Sequence, residues 1–305
     1  MSLFLALLVK ILPLYVLILL GLIANKFLHV SKESISGLII YILAPAIVLL
    51  GTIQSKSHPE LLLIPIIFFF VSTTICLLNY FSTRKLWHDG TEKVLMFASG
   101  TGNVGYFGLP VCLAIVGDIA LPIVVMVTLG LMVFENTIAF YIVARASHSK
   151  KDALLKVFKL PHLYFFVTGI LLNFFNFTPA QQILDFLDSF KTVYFTLGMM
   201  VIGLSLAEIK AHHVDWKFTT IALFNKFILW PAIFLGLIYL DTHYAHIFDQ
   251  KTESALLIEA LVPLSVTSVI YATELKVHPE KVALTVAIST LIALFYIPAA
   301  IAFLL

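Results

Sequence analysis

Apolar runs of about twenty residues recur along the chain, at roughly 4–24, 35–53, 61–81, 93–117, 120–143, 160–177, 190–207, 217–239, 253–272 and 281–304. Wound as a helix at about 1.5 Å per residue, a run of that length crosses a hydrocarbon core roughly 30 Å thick. Inside lipid every backbone N–H and C=O must find its partner within the protein, so helices are the elements such runs can form. The chain is therefore expected to be an all-α polytopic membrane protein of ten transmembrane helices with no soluble domain. Composition agrees: 61% of the 305 residues are hydrophobic, 12% are charged, and the mean hydropathy is +1.04.

The first five runs and the last five have similar spacing, which divides the chain into five-helix repeats at 1–153 and 154–305. An odd number of spans per repeat inserts the second with opposite orientation, the inverted plan of many secondary transporters. Lys and Arg favour cytoplasmic loops. Here fourteen of nineteen sit on one set of alternating loops, among them Arg84, Lys85, Arg145, Lys151 and Lys281, against Lys56, Lys191 and Lys251 on the other. Both termini are thus expected outside a cell inner membrane. The N-terminus lacks a basic leader and cleavage pattern, so the first run reads as a permanent span.

A net charge of +2 scattered over short loops gives no surface for nucleic acid. Cys76 and Cys112 fall inside apolar runs and read as small buried hydrophobes. His148 belongs to a solvated loop, while His212, His213, His243 and His246 fall on opposite membrane faces, so no metal site or cofactor is expected.

The fourth run is unsuited to an uninterrupted lipid-facing helix. Between Phe97 and Val111 it holds Gly100, Gly102, Gly105, Gly108, Asn103 and Pro110. Glycine and proline weaken the helical ladder, and broken backbone at membrane depth needs protein or a water-filled cavity to satisfy it. A corresponding break is expected in the ninth run at Pro263, followed by Ser265, Thr267 and Ser268; prolines at 13, 45, 65, 231 and 298 read as kinks. If both runs unwind and cross near the midplane, half-helix N-termini and free N–H donors converge and suit an anionic group such as a carboxylate. Asn103 supplies donor and acceptor, and Thr101, Ser265 and Ser268 supply hydroxyls. The alternative for these small residues is close helix packing.

Ionisable groups within spans are costly and normally face protein or water. Glu135 beside Asn136, and Glu259 four residues before Pro263, are candidates for coupling transport to protons, because a carboxylate removed from water binds a proton more readily. Lys226 is a candidate for positive potential near an anion, or for a structural partner of a carboxylate. Lys10 reads as a snorkelling residue, and Glu208 and Glu274 as hydrated span ends.

The segment Gly102-Asn-Val-Gly-Tyr-Phe-Gly-Leu-Pro110 resembles the G-N-x-G-x-x-G-x-P element of the auxin efflux carrier family. Pro263, the stretch Ala272–Pro279 and Ser289-Thr290 resemble that family's ninth-span pattern. The resemblance implies a scaffold of spans 1, 2, 6 and 7 and a moving transport unit of spans 3–5 and 8–10. Asn103 and Pro110 match the first crossing region and Pro263 the second proline. It also implies dimerisation through the scaffold. The long loop of some plant exporters is absent, which matches the compact bacterial permeases of this family for malonate, malate and similar carboxylates.

No phosphate-binding loop of the G-x-x-x-x-G-K-[ST] type is present. The sequence therefore points to a secondary-active carrier rather than an enzyme. It would move a small organic anion, a carboxylate or an auxin-like acid, by alternating access. The substrate site would be formed by Thr101, Asn103, Gly105, Pro110, Pro263, Ser265, Thr267 and Ser268. The competing readings are a proton- or sodium-coupled carrier of another solute, and a transporter-like sensor or channel.

Overall fold

The computed structural model of the protein describes residues 3–54, 59–117, 119–146, 149, 151–152, 155, 158–207 and 215–304. Lys56, His148, Lys150, Lys156, Glu208, Lys210, His212 and His213 lie outside them, as do the side chains of Lys10 and Pro110. Among the described residues every regular element is helical.

Helix occupies each of the ten apolar runs, but among the described residues six segments are long and apolar enough to cross a membrane. These are Lys32–Leu50, Leu63–Thr83, Pro122–Ala144, Gln181–Leu204, Trp216–Ala245 and Pro279–Leu304. A seventh arises if Gln250–Leu261 and Val266–Glu274, bent by 46°, count as one broken span. Tyr15–Leu28 and Tyr164–Phe174 are shorter apolar helices.

Polar side chains fix where several helices start. The Asp215 carboxylate accepts from the Phe218 N–H at 3.0 Å and Asp249 from the Thr252 N–H at 2.8 Å, satisfying donors that the first turn leaves free. The seventh helix begins at Gln181, nine residues before the apolar run that announced it. Lys191, expected in an outer loop, is therefore inside that helix. The first and seventh helices pack backbone to backbone: a Cβ on Gly203 would meet the Ile18 carbonyl, and one on Gly21 the Met200 carbonyl.

Two large apolar clusters make the interior, and both broken helices pass from one to the other at their breaks. Val94, Phe97 and Ala98 lie in the first cluster, Val104, Phe107 and Val111 in the second. In the ninth run the order reverses: Leu257 to Val262 lie in the second cluster, and Leu264, Val266 and Val269 in the first. Each half-helix is anchored by its own core, which holds the unwound residues between them in place.

At one end of the molecule the loops after runs three, seven and nine meet. Lys281 Nζ lies 3.2 Å from Asp215 and 3.8 Å from Asp89, and the Trp87 indole N–H donates to Asp215 at 3.0 Å. Burial opposes ionisation of Asp215, but the Phe218 N–H and Lys281 outweigh it and hold its carboxyl below the ordinary range. Charge bias assigned these three loops to one membrane face, and their contacts place them together.

Candidate functional site

The fourth helix stops at Ser99, runs without helical bonding through Thr101, Gly102 and Asn103, and resumes as a π turn at Val104–Gly108 followed by Leu109–Ile115. The ninth stops at Leu261 and resumes at Val266. The expected break at Pro263 is thus a true interruption and not a kink. The strands of unwound chain touch: the Asn103 N–H donates to the Pro263 carbonyl at 2.8 Å. Ser265 Oγ caps the resumed ninth helix by accepting from the Thr267 N–H at 3.2 Å. The second halves of both helices begin at the crossing and so direct their positive ends to it.

Beside the crossing lies a partly open cavity of about 110 Å³. Its polar lining includes Asn103, Glu135, Ser265, Thr267, Thr128 and Tyr194, with Gly102 and Gly105 exposing backbone. Most of the remaining wall is apolar, including Ile47, Val124, Leu129 and Met132, and Lys191 stands among the lining residues in an ion pair of 2.6 Å with Asp188.

Glu135 joins the fifth helix to the crossing. It starts a π turn, Glu135–Ala139, a local widening that commonly marks functional positions in helices. One of its oxygens accepts from Thr101 Oγ1 and, at 3.3 Å, from Ser265 Oγ, so hydroxyls from the two broken helices share one carboxyl oxygen. Asn103 is buried; its amide nitrogen reaches only Met199 Sδ at 3.9 Å and its amide oxygen has no partner among the described residues. A buried amide left partly unpaired is costly unless something that enters the cavity uses it.

The other sequence candidates divide. Thr101 reaches the site through Glu135, and Pro263 through its carbonyl. Pro110 stands near the start of Leu109–Ile115, directly after the π turn. Ser268 does not line the cavity; it donates to the Ser265 carbonyl at 2.6 Å and shapes the turn. Glu259 and Lys226 also lie away from the cavity wall, both fully buried. Cys112 is a small buried residue as expected, but its thiol also donates to Glu259 at 3.2 Å. Sequence reasoning missed Tyr194, Lys191 and Thr128, and the only signal for the first two was the polar stripe that precedes the seventh apolar run. Among the described residues no three His, Cys, Asp or Glu side chains gather as metal ligands.

The family described as membrane transport protein matches residues 6–153 and 147–301, which is nearly the whole chain. The chain belongs to that family. This is the auxin efflux carrier family that the glycine-rich motif of run four resembles. A relative, the uncharacterized transporter MJ1031 of Methanocaldococcus jannaschii, is 25% identical over 287 residues, covering 90% of this chain and 91% of that protein. The protein is thus a multi-pass membrane transport protein.

Proposed function

We propose that the protein is a secondary-active carrier of a small organic anion in the cell inner membrane, working by alternating access with no chemical step. In this reading ten spans form a 5+5 inverted repeat with both termini outside. Spans 1, 2, 6 and 7 form the scaffold, and spans 3–5 and 8–10 carry the crossing from one side to the other. The observation that carries the proposal is the buried amide of Asn103, whose oxygen has no partner among the described residues, in a cavity at the meeting point of two helix N-termini. Turning that amide about its last bond presents N–H donors in place of the oxygen, so the same side chain can hold a carboxylate. The cavity wall supports a substrate with one charged end and an apolar body, because Ile47, Val124, Leu129 and Met132 offer no further charge partners.

Glu135 gives the site its coupling. A substrate anion and an ionised carboxylate in one poorly hydrated cavity repel, so anion entry favours protonated Glu135 and anion release favours loss of that proton. The test is purified protein in liposomes loaded with a panel of unlabelled acids, malonate, malate and an indole-type acid among them, with labelled acid outside. Saturable counterflow with at least one acid is the expected result. Current without saturable exchange would make the protein a channel, and exchange driven only by a sodium gradient would replace the proton as coupling ion.

A further inference from the structure

Below the crossing, on helices that do not line the cavity, two opposite charges are buried with atoms left unpaired. Lys226, in the π turn Asn225–Leu229, and Glu259, in the first half of the ninth helix, are both wholly shielded from solvent. The Lys226 ammonium makes no hydrogen bond among the described residues and lies 4.2 Å from the centre of the Trp230 ring. One Glu259 oxygen takes the Cys112 thiol and the other has no partner. Each charge occupies the space of a missing side chain: a Cβ on Gly102 would stand 2.5 Å from Lys226 Nζ, and one on Gly108 would collide with the Glu259 carboxyl. Gly102 also lines the cavity. The ammonium therefore sits one backbone unit behind the cavity floor, where low polarity lets its field reach across.

The surrounding elements offer little else that titrates. Leu109–Ile115 contributes Cys112. The last helix contributes Tyr296, whose hydroxyl is used on the Phe227 carbonyl at 2.8 Å. Ala120–Phe134 has no titratable residue, and Trp230–Leu240 has only the exposed Tyr239. Asn225 binds Asn79 and Ser99, which are neutral, and Glu135 stands across the crossing. The charge of this region is thus decided by Lys226 and Glu259, which act on each other electrostatically without a close ion pair.

We propose that Lys226 and Glu259 form a proton-operated charge switch beneath the substrate site: a proton on Glu259 leaves Lys226 as the uncompensated cation that holds an anion above Gly102, and its loss cancels that field. The switch rests on the reading of the cavity as an anion site, and it adds a second proton-sensitive group that never touches substrate. It places Lys226 and Glu259 as positioning residues for charge. Gly102 and Gly108 provide the room that lets both charges approach the crossing.

Trp230 supplies a readout independent of any substrate. With Trp87 and Trp216 replaced by Phe, the emission of Trp230 reports the field of the adjacent ammonium. Expected is a step in emission between acid and alkaline pH that Glu259→Gln moves, because Lys226 then stands without its counter-charge, and that is absent from the charge-free double variant Lys226→Met, Glu259→Gln. That double variant also guards against misfolding caused by leaving one buried charge alone. Measured in a Glu135→Gln background, which removes the other proton-dependent charge at the cavity, equilibrium binding of whichever acid the wild-type protein exchanges should weaken by about tenfold as pH rises through the step, follow the moved step when Glu259→Gln is added, and stay weak at every pH when the double variant is added. No step in the wild-type protein, a step that survives Glu259→Gln unchanged, or tight acid-side binding by the double variant would overturn the switch. A step without binding of any acid in the panel would instead overturn the anion reading.

Discussion

The Asn103 N–H and the Pro263 carbonyl, 2.8 Å apart, tie the two broken helices together through main-chain atoms. Neither group has a partner in its own helix at that point, so each break supplies what the other lacks. This bond is indifferent to the Asn103 side chain, which leaves the amide free for the cavity. Asn103→Ala should therefore keep the crossing and a monodisperse protein while weakening anion binding by about three- to tenfold, the range expected for one lost hydrogen bond. Binding measured on detergent-solubilised protein checks it, and wild-type affinity would remove the amide from the site.

Pro263 lies where helix would otherwise continue from Leu261 to Val266. Alanine there relieves a helix-interior penalty of about 3 kcal/mol and favours joining the two halves. Pro263→Ala should insert normally and lose transport rate, because a continuous ninth helix withdraws its carbonyl from Asn103 and its cap from Ser265. Turnover in liposomes close to wild type, at equal protein incorporation, would show that the interruption persists without proline.

His278 links the loops at the basic end of the molecule, with Nε2 3.3 Å from Asp89 and Nδ1 3.5 Å from Glu280. Its hydrogen bond to Glu280, helped by Asp89 and opposed by partial burial, holds the imidazole pKa above its ordinary value of 6.5. A raised value means the folded protein binds the proton more tightly than the unfolded chain. The contribution is complete below the ordinary histidine value and fades as pH rises through the raised one. His278→Asn, which tolerates the positive φ of 45° found there, should flatten the fall in thermal stability over that window, with its deficit against the wild-type protein largest on the acid side and gone above the window. An unchanged stability profile would mean that the Asp89 and Glu280 contacts are too solvated to matter.

The breaks were legible because glycine, asparagine and proline at positions 100–110 and 263 contradict the apolar runs around them. What meets at the breaks was not. Glu135 stood out as a charge in a span, but its partners Thr101 and Ser265 come from two other helices, and no spacing within the chain encodes that convergence. The same holds for Cys112 and Glu259. The start of the seventh helix was hidden for a different reason: Gln181, Gln182, Asp185, Asp188 and Lys191 lower the local hydropathy, so a polar helical extension read as loop and Lys191 and Tyr194 stayed out of the site.

The orientation we propose from charge bias would put Lys151 in the cytoplasm and Lys56 outside. Single cysteines at these positions, in a protein with Cys76→Ala and Cys112→Ser, can be labelled in spheroplasts with an impermeant thiol reagent. Serine at 112 keeps a donor for Glu259, which a bare methyl group would not. Position 56 should label from outside and position 151 only after permeabilisation. The reverse pattern would put the His278 loops and both termini on the opposite sides of the membrane.

Among the described residues Glu135 is the one carboxylate that lines the cavity, so its replacement separates coupling from structure most cleanly. Glutamine retains the oxygen that accepts from Thr101 and Ser265 and fills the same volume, but it cannot take up or release a proton. Glu135→Gln should bind anion at least as well as the wild-type protein on the alkaline side, since the repelling charge is gone, and should exchange anion for anion. Net transport driven by a pH gradient should be lost, because the cycle no longer returns a proton with each crossing. The measurement is proton movement beside labelled-acid flux in the same liposomes, taken first on the wild-type protein. Wild-type stoichiometry in the Gln variant would return Glu135 to a structural role, as a polar anchor between the fifth helix and the crossing.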